Sequence, residues 1–412
     1  MKAQSTTADP ALMRELNKSI LLNLIRRQGS ISRADLAKET RLSRSTVSSI
    51  IDALLAEGLV QESGAGESKG GRRPILVNFN YRAGSVIGVD LGATHILVVV
   101  TDLGANVRAQ AVKEEFSISD GPEAALEEVS RLVSQALRAA GVSLDRMMGL
   151  GIGVPGPLNY SAGMVIAPPI MPGWDGIPLR ARLESQYKIP VYLDNDANLG
   201  ALAEKWHGAG RGRDNLAYIK VGTGIGCGLI FDGEIYRGET GSAGEIGHIM
   251  VDEAGPPCKC GSYGCLESMA GGPAIAQRAE QAIRAGQRTA LQRLARNHGL
   301  TAKDVADAAA AGDELSQQLY REAGRLIGVA IADLINLLNP GMVVIGGGVA
   351  AAGELLLGPI RQTVQSRALR ASVNSTQIVQ AQLGREVTAI GAATLVLQEA
   401  FRSPDLTIQM QL

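Results

Sequence analysis

"VIGVDLGATHILVVVTDLGANV", residues 86–107, and "AYIKVGTGIGCGLIFDGEIY", residues 217–236, carry the reading that decides the fold. Each runs strand, glycine-rich turn, strand, Asp-containing turn, strand, with β-branched residues crowding the strand positions. An internal repeat of this kind predicts two lobes of related fold facing each other across a cleft. "VVIGGGV", residues 343–349, adds a late strand that ends in glycines. Such turns expose backbone N–H groups that can hold phosphate oxygens without side-chain obstruction. Gly92 and Thr94, then Gly222, Thr223 and Gly224, then Gly346, Gly347 and Gly348 are therefore candidate phosphate or nucleotide contacts.

A chain of 412 residues is too long for one ordinary core, so two or three folded units are expected. Hydrophobic residues make up 45 % and charged ones 20 %, the balance of a globular protein rather than a disordered one. The repeat predicts an α/β body of two-lobed, actin-like (ribonuclease-H-like) ATPase type. Its first lobe is expected over residues 84–200, joined by a C-terminal helix at 387–400, and its second over 201–386. Four cysteines form no disulfide framework, and the start "MKAQSTTADP" lacks the apolar core of a signal peptide. No apolar run approaches the ~18 residues of a membrane span. A cytoplasmic location without membrane insertion is expected.

Residues 1–80 hold 12 Lys/Arg against 8 Asp/Glu, whereas the whole chain has a net charge of −1. A mildly basic head on an acidic body suits a polyanionic partner. Apolar residues recur at helical spacing over 13–27, at Leu16, Ile20 and Leu24, with Leu21 and Ile25 beside them. Ser32 and Asp35 form a capping pattern that opens a short helix over 33–40. Ser43 caps a third helix to about residue 57, whose inner face is Val47, Ile50, Ile51, Leu54 and Leu55. Arg44, Ser45, Thr46, Ser48 and Ser49 stay outside near its start, the layout of a recognition helix entering the major groove. Two strands, 59–62 and 75–79, flank "SGAGESKGGRRP", a glycine-rich tip that would carry Lys69, Arg72 and Arg73 over phosphates like a wing. The alternative is a three-helix interaction module with a solvated basic loop. The winged helix-turn-helix reading over 1–80, with operator DNA as partner, fits more of these features.

"VYLDNDANLGALAE" reads as a strand at 191–193 followed by a helix through Glu204, with Asp194, Asn195, Asp196 and Asn198 at the junction. A carboxylate at such an edge can take a proton from a hydroxyl. Plain helix capping is the competing reading. For Asn195 and Asp196 polyol recognition is preferred.

These motifs, in this order, resemble the ROK family of bacterial sugar kinases and sugar-responsive repressors. The signature stretch is "VGTGIGCGLIFDGEIYRGETGSAGEIGH", followed by "CKCGSYGCLE", and the likeness covers about residues 85–398. The fused head makes the chain similar to the repressor branch, which includes the xylose repressors. The resemblance implies that Asp196 corresponds to the general base of the kinases. It implies that Asn195, Asp196, Glu245, His248 and Glu267 hold a sugar or sugar-phosphate effector. It also implies that His248, Cys258, Cys260 and Cys265 ligate structural zinc. One imidazole and three thiols do make a closed tetrahedral set. The spacing departs from the usual Cys-x-x-Cys, and clustered reduced thiols without metal are the alternative. Cys227, in a glycine-rich strand, reads as a small buried apolar residue.

Two functions follow from the resemblance: a repressor whose cleft senses a sugar, or an ATP-dependent sugar kinase using ATP and Mg²⁺. The kinases usually carry Asp-x-Gly-Gly-Thr-Lys in the first loop, where this chain has "DLGATH". Ala93 places a Cβ against a phosphate, and His95 is mostly uncharged near neutral pH, so phosphoryl transfer loses positioning and charge. Pro169 stands where many members have Asn. The intact second and third loops and Asp196 speak for the kinase. The repressor is the preferred reading. Two heads on inverted half-sites imply a homodimer or homotetramer, and sugar-driven closure of the lobes would change their spacing.

Overall fold

Both glycine-turn repeats fold into the centre of a five-stranded sheet. The protein's structure is a computed structural model that describes residues 10–65, 73–166, 168, 171–296 and 298–402. The first sheet places its strands in the order Val191–Asn195, Met147–Val154, Ser85–Leu91, Ile96–Asp102, Val107–Lys113. The second runs Gln377–Gln380, Met342–Gly346, Leu216–Val221, Ile225–Phe231, Glu234–Ile235. In each, the earliest strand is central, antiparallel to the next in chain order and parallel to a later one. Duplicated sequence therefore marks duplicated topology, and the body is the two-lobed actin-like fold. The central strands are buried along their length, which is why they read as nearly continuous Val and Ile.

Two helices, Asp196–His207 and Val387–Arg402, fill the space between the sheets. They approach at backbone distance because glycines face them. A Cβ on Gly88 would lie 2.0 Å from the Ala389 carbonyl oxygen, and one on Gly151 would lie 2.0 Å from that of Ala392. Gly228 meets Ala197 and Gly391 meets Leu199 in the same way. Val387–Arg402, the last described element, thus covers strands Ser85–Leu91 and Met147–Val154 of the first lobe. Glu204, fully buried, ties the first of these helices to the segment that leads into the second: its carboxylate accepts the backbone N–H groups of Ala209, Gln382 and Leu383.

The head contains helices Pro10–Gln28, Arg33–Thr40 and Arg44–Ala56, and an antiparallel sheet ordered Ile31–Ser32, Ile75–Phe79, Val60–Ala65. Ser32 and Ser43 cap the second and third helices, accepting from the backbone of Asp35 and Thr46. Val47, Ile50, Ile51 and Leu54 are buried as expected and Leu55 is half-buried. The first helix differs from the expected stripe. Leu16 and Ile20 are exposed and Leu24 half-buried, while Lys18, Ser19, Leu21, Leu22 and Ile25 face inward. Lys18 can occupy that face because its ammonium reaches Glu57 at 2.6 Å, so a charged residue sits where pattern reading sought an apolar one.

The head does not hang free of the body. The Arg26 guanidinium lies 4.0 Å from the centre of the Phe401 ring and 5.5 Å from that of Phe79. The two rings meet edge to face at 5.6 Å, and Asn23 donates to the Phe401 carbonyl. Among the described residues no helix is long and apolar enough to cross a membrane.

Candidate functional site

The site is a cleft of about 570 Å³ between the lobes. Asp90, Gly92, Thr94 and His95 line it from the first sheet, and Asn195 and Asp196 from the strand-to-helix junction. The second lobe contributes Gly222, Thr223 and Gly224, the carboxylates Glu245 and Glu267, His248, and the loop Gly346–Gly347–Gly348. All five expected sugar-binding residues and all eight expected loop residues therefore line one cavity.

Asp194 builds the junction. It is buried at the C-terminal end of its strand, where its Oδ1 accepts from Asn195 N and Asn198 Nδ2. Its Oδ2 accepts from Arg237 at 2.8 Å, and that guanidinium stacks on the Tyr160 ring at 4.0 Å. Asn195 is the helix cap, accepting from Ala197 N at 2.8 Å and donating to the Gly156 carbonyl. Capping and cleft lining therefore coincide in Asn195. Asp196 opens the helix, where the backbone dipole favours a carboxylate, and its Oδ2 accepts from Lys220 Nζ at 2.6 Å.

On the opposite wall Glu267 accepts from Ile225 N at 3.0 Å. A Cβ on Gly224 would sit 2.6 Å from the Glu267 carboxylate, so a larger residue here would displace Glu267 from Ile225 N. Burial raises Glu245 above the usual carboxylate range, and Asp196 and Glu267 push it the same way against the opposing His248. In the first loop His95 Nε2 lies 3.2 Å from Asp90 Oδ2, so the group at the position where the kinases have lysine is turned onto the loop's own carboxylate. Pro169 lies outside the described residues.

Beside the cleft, His248, Cys258, Cys260 and Cys265 bring four ligand atoms within 4.8 Å of one another, a set able to hold a metal ion. His248 Nδ1 lies 3.7 Å from Cys258 Sγ, and Cys260 Sγ lies 3.7 Å from Cys265 Sγ. A tetrahedral site with metal–sulfur bonds of about 2.3 Å has sulfur–sulfur edges of about 3.8 Å, so the donor set fits zinc. Burial pushes the Cys265 thiol up to about 12, whereas a backbone hydrogen bond from Ser262 lowers exposed Cys260. Cys227 is buried in its strand, apart from this cluster.

In the head, Arg44, Ser45 and Ser49 are exposed, and Thr46 and Ser48 half-buried, along one side of the third helix. Arg73 is exposed at the foot of the wing, while Lys69 and Arg72 lie outside the described residues.

Residues 86–399 match the family model described as the ROK family. The chain belongs to the ROK family. Residues 16–73 match the MarR family model, so this ROK protein carries a MarR-like winged-helix head. A putative xylose repressor of Caldicellulosiruptor sp. (strain Rt8B.4) is 33 % identical over 398 residues, covering 96 % of this chain and 98 % of that one. The crystal structure of a ROK family transcriptional regulator, a homolog of the E. coli Mlc protein, superposes with a TM-score of 0.83 at 28 % identity, covering 97 % of this chain and 99 % of that chain. A ROK glucokinase from Streptomyces griseus, solved with glucose and AMPPNP, gives a TM-score of 0.70 at 33 % identity, covering 76 % of this chain and all of its own. The regulators thus match head and body together, and the kinase matches the body.

Three structural roles escaped sequence reading: the pairing of Asp194 with Arg237, the buried acceptor role of Glu204, and Lys220. The last left a signal, a lysine inside the apolar strand "AYIKV".

Proposed function

We propose that this protein is a sugar-responsive repressor of carbohydrate-use genes, acting in the cytoplasm as a homodimer or larger homo-oligomer. The observation that carries the reading is the union, in one chain, of an exposed recognition helix with a kinase-shaped cleft whose first loop is closed on itself through His95 and Asp90. Arg44, Ser45, Thr46, Ser48 and Ser49 read bases or phosphates, and Lys69, Arg72 and Arg73 hold phosphates at the wing. Asn195, Asp196, Glu245, His248 and Glu267 hydrogen-bond the hydroxyls of the effector. Residues 1–80, 84–200 with 387–400, and 201–386 move as the three units of the switch.

His248, Cys258, Cys260 and Cys265 hold structural zinc, which supplies a rigid cross-link between the segments bearing Glu245 and Glu267. Bound through Nδ1, His248 keeps Nε2 for a hydroxyl, so the clamp also sets a sugar-binding tautomer. Sugar draws the lobes together and lowers operator affinity by the coupling energy between the sites.

Fluorescence anisotropy with the protein's own upstream DNA, titrated against pentoses, hexoses and their phosphates, tests the reading. Release by one sugar class is the expected result. Binding indifferent to every sugar and sugar phosphate would remove it, and sugar-dependent ATP turnover at ordinary enzyme rates would replace it with the kinase.

A further inference from the structure

Lys220 stands where its strand should carry another buried apolar side chain. Alternation along Leu216–Val221 sends Leu216, Tyr218 and Lys220 toward helix Asp196–His207, while Ala217, Ile219 and Val221 enter the core of the second lobe. Its cross-strand partners are Gly226 on one side and Gly346 on the other, so no side chain flanks the aminoalkyl chain within the sheet. That chain crosses to Asp196, and the two side chains are 22 % and 13 % exposed. Burial disfavours the ammonium, but Asp196 and then Asp90 outweigh it and raise Lys220 above its ordinary range. Nearby polar atoms have room for more: Asp90 Oδ1 and Tyr218 OH are buried without a hydrogen-bond partner.

Two carboxylates converging beside glycine loops ordinarily invite a divalent cation, which takes oxygen ligands. Here a lysine brings the positive charge. An ammonium bonded to Oδ2 of Asp196 fixes the carboxylate and leaves Oδ1 to accept from a ligand hydroxyl. The other basic side chains lining the cleft are engaged as well: His95 with Asp90, Arg385 with Glu114, and His248 with Cys258. Glu245 and Glu267 face the same space. A phosphate would meet these acids where each basic side chain among the described lining residues already has a partner.

We infer that Lys220 is the resident cation of the cleft: it supplies the charge a divalent metal would otherwise bring, holds one oxygen of Asp196 so that the other faces a ligand hydroxyl, and fits the site to a neutral, unphosphorylated sugar bound without metal or nucleotide. The inference rests on the sugar-binding reading above. Lys220 is a positioning residue here, acting through Asp196.

Calorimetric titration of the full-length protein with neutral pentoses and hexoses, and with the hexose 6-phosphates, tests it with and without MgCl₂. Wild type should bind a neutral sugar in preference to its 6-phosphate, with an affinity that Mg²⁺ changes by less than about twofold. Loss of a charged hydrogen bond predicts about tenfold weaker binding in Lys220→Met, recovered in part by Mg²⁺, while Lys220→Arg stays within about threefold of wild type. Three results would overturn the inference: a folded Lys220→Met within about twofold of wild type, a loss that Mg²⁺ does not restore, or tighter binding of the 6-phosphate. If Lys220→Met fails to fold, Lys220→Arg and the wild-type Mg²⁺ and phosphate arms still decide. Wild type binding none of the sugars would instead bring down the sugar-binding reading and this inference together.

Discussion

Cys260 is the exposed corner of the four-residue clamp, so replacing it removes a ligand without opening a core. Cys260→Ser should lower bound zinc, measured by mass spectrometry, to well under one ion per chain, and weaken sugar-induced operator release. A metal-free variant with an unchanged sugar response would break the link between clamp and effector. The residues of this region were legible because their chemistry is local: His248 and three cysteines fall within a short stretch. The role of Asp194 was not, because its Arg237 partner arrives from the other lobe and only folding shows that its carboxylate is spent. Asn195 shows a further limit, since capping and ligand lining look alike in sequence and here coincide.

The helices between the lobes depend on what the sheets lack. Gly151→Ala would drive a methyl group to within 2.0 Å of a carbonyl oxygen in helix Val387–Arg402, and backbone cannot step aside as a flexible side chain would. Overpacking of this severity should cost about 3 kcal/mol or more, read as a large fall in the denaturation midpoint or as insoluble protein. Gly29→Ala is the control: no atom lies within 4 Å of the added Cβ, and only its positive φ is strained, at a cost of about 1 kcal/mol. The strands themselves could be read from their β-branched runs and the duplicated turn. The face of the first helix could not, because its periodicity offered two neighbouring stripes. The ion pair between Lys18 and Glu57, distant in sequence, accompanies the choice between them.

Across the whole molecule, head and body meet where Arg26 stacks on Phe401. Arg26→Ala should leave sugar affinity within about twofold of wild type, since the cleft is untouched, yet reduce the shift in operator affinity that sugar produces. Paired calorimetry and anisotropy measure both. His207 stands at the same junction, within hydrogen-bonding distance of Thr394. Burial chiefly, helped by Arg211 and Arg26, lowers its pKa from 6.5 to about 4. Between those values the unfolded chain takes up a proton that the folded one refuses. The neutral ring's contribution is therefore complete above pH 6.5 and fades as pH falls toward about 4. The gap between the unfolding midpoints of wild type and His207→Gln should shift against wild type over that interval, as thermal scans at successive pH values would record.

Helix Val387–Arg402 is the last described element to leave the ribosome, yet it packs on strands made early in synthesis and offers Phe401 to the head. The head's sequence is therefore complete before the helix it contacts has been made. A message broken before these codons would yield a polypeptide whose recognition helix is intact and whose first lobe lacks its packing partner. On the proposed reading, such a product would keep its DNA-reading residues and lose the sugar response. Control then depends on helix Val387–Arg402 as much as on the helix that reads DNA.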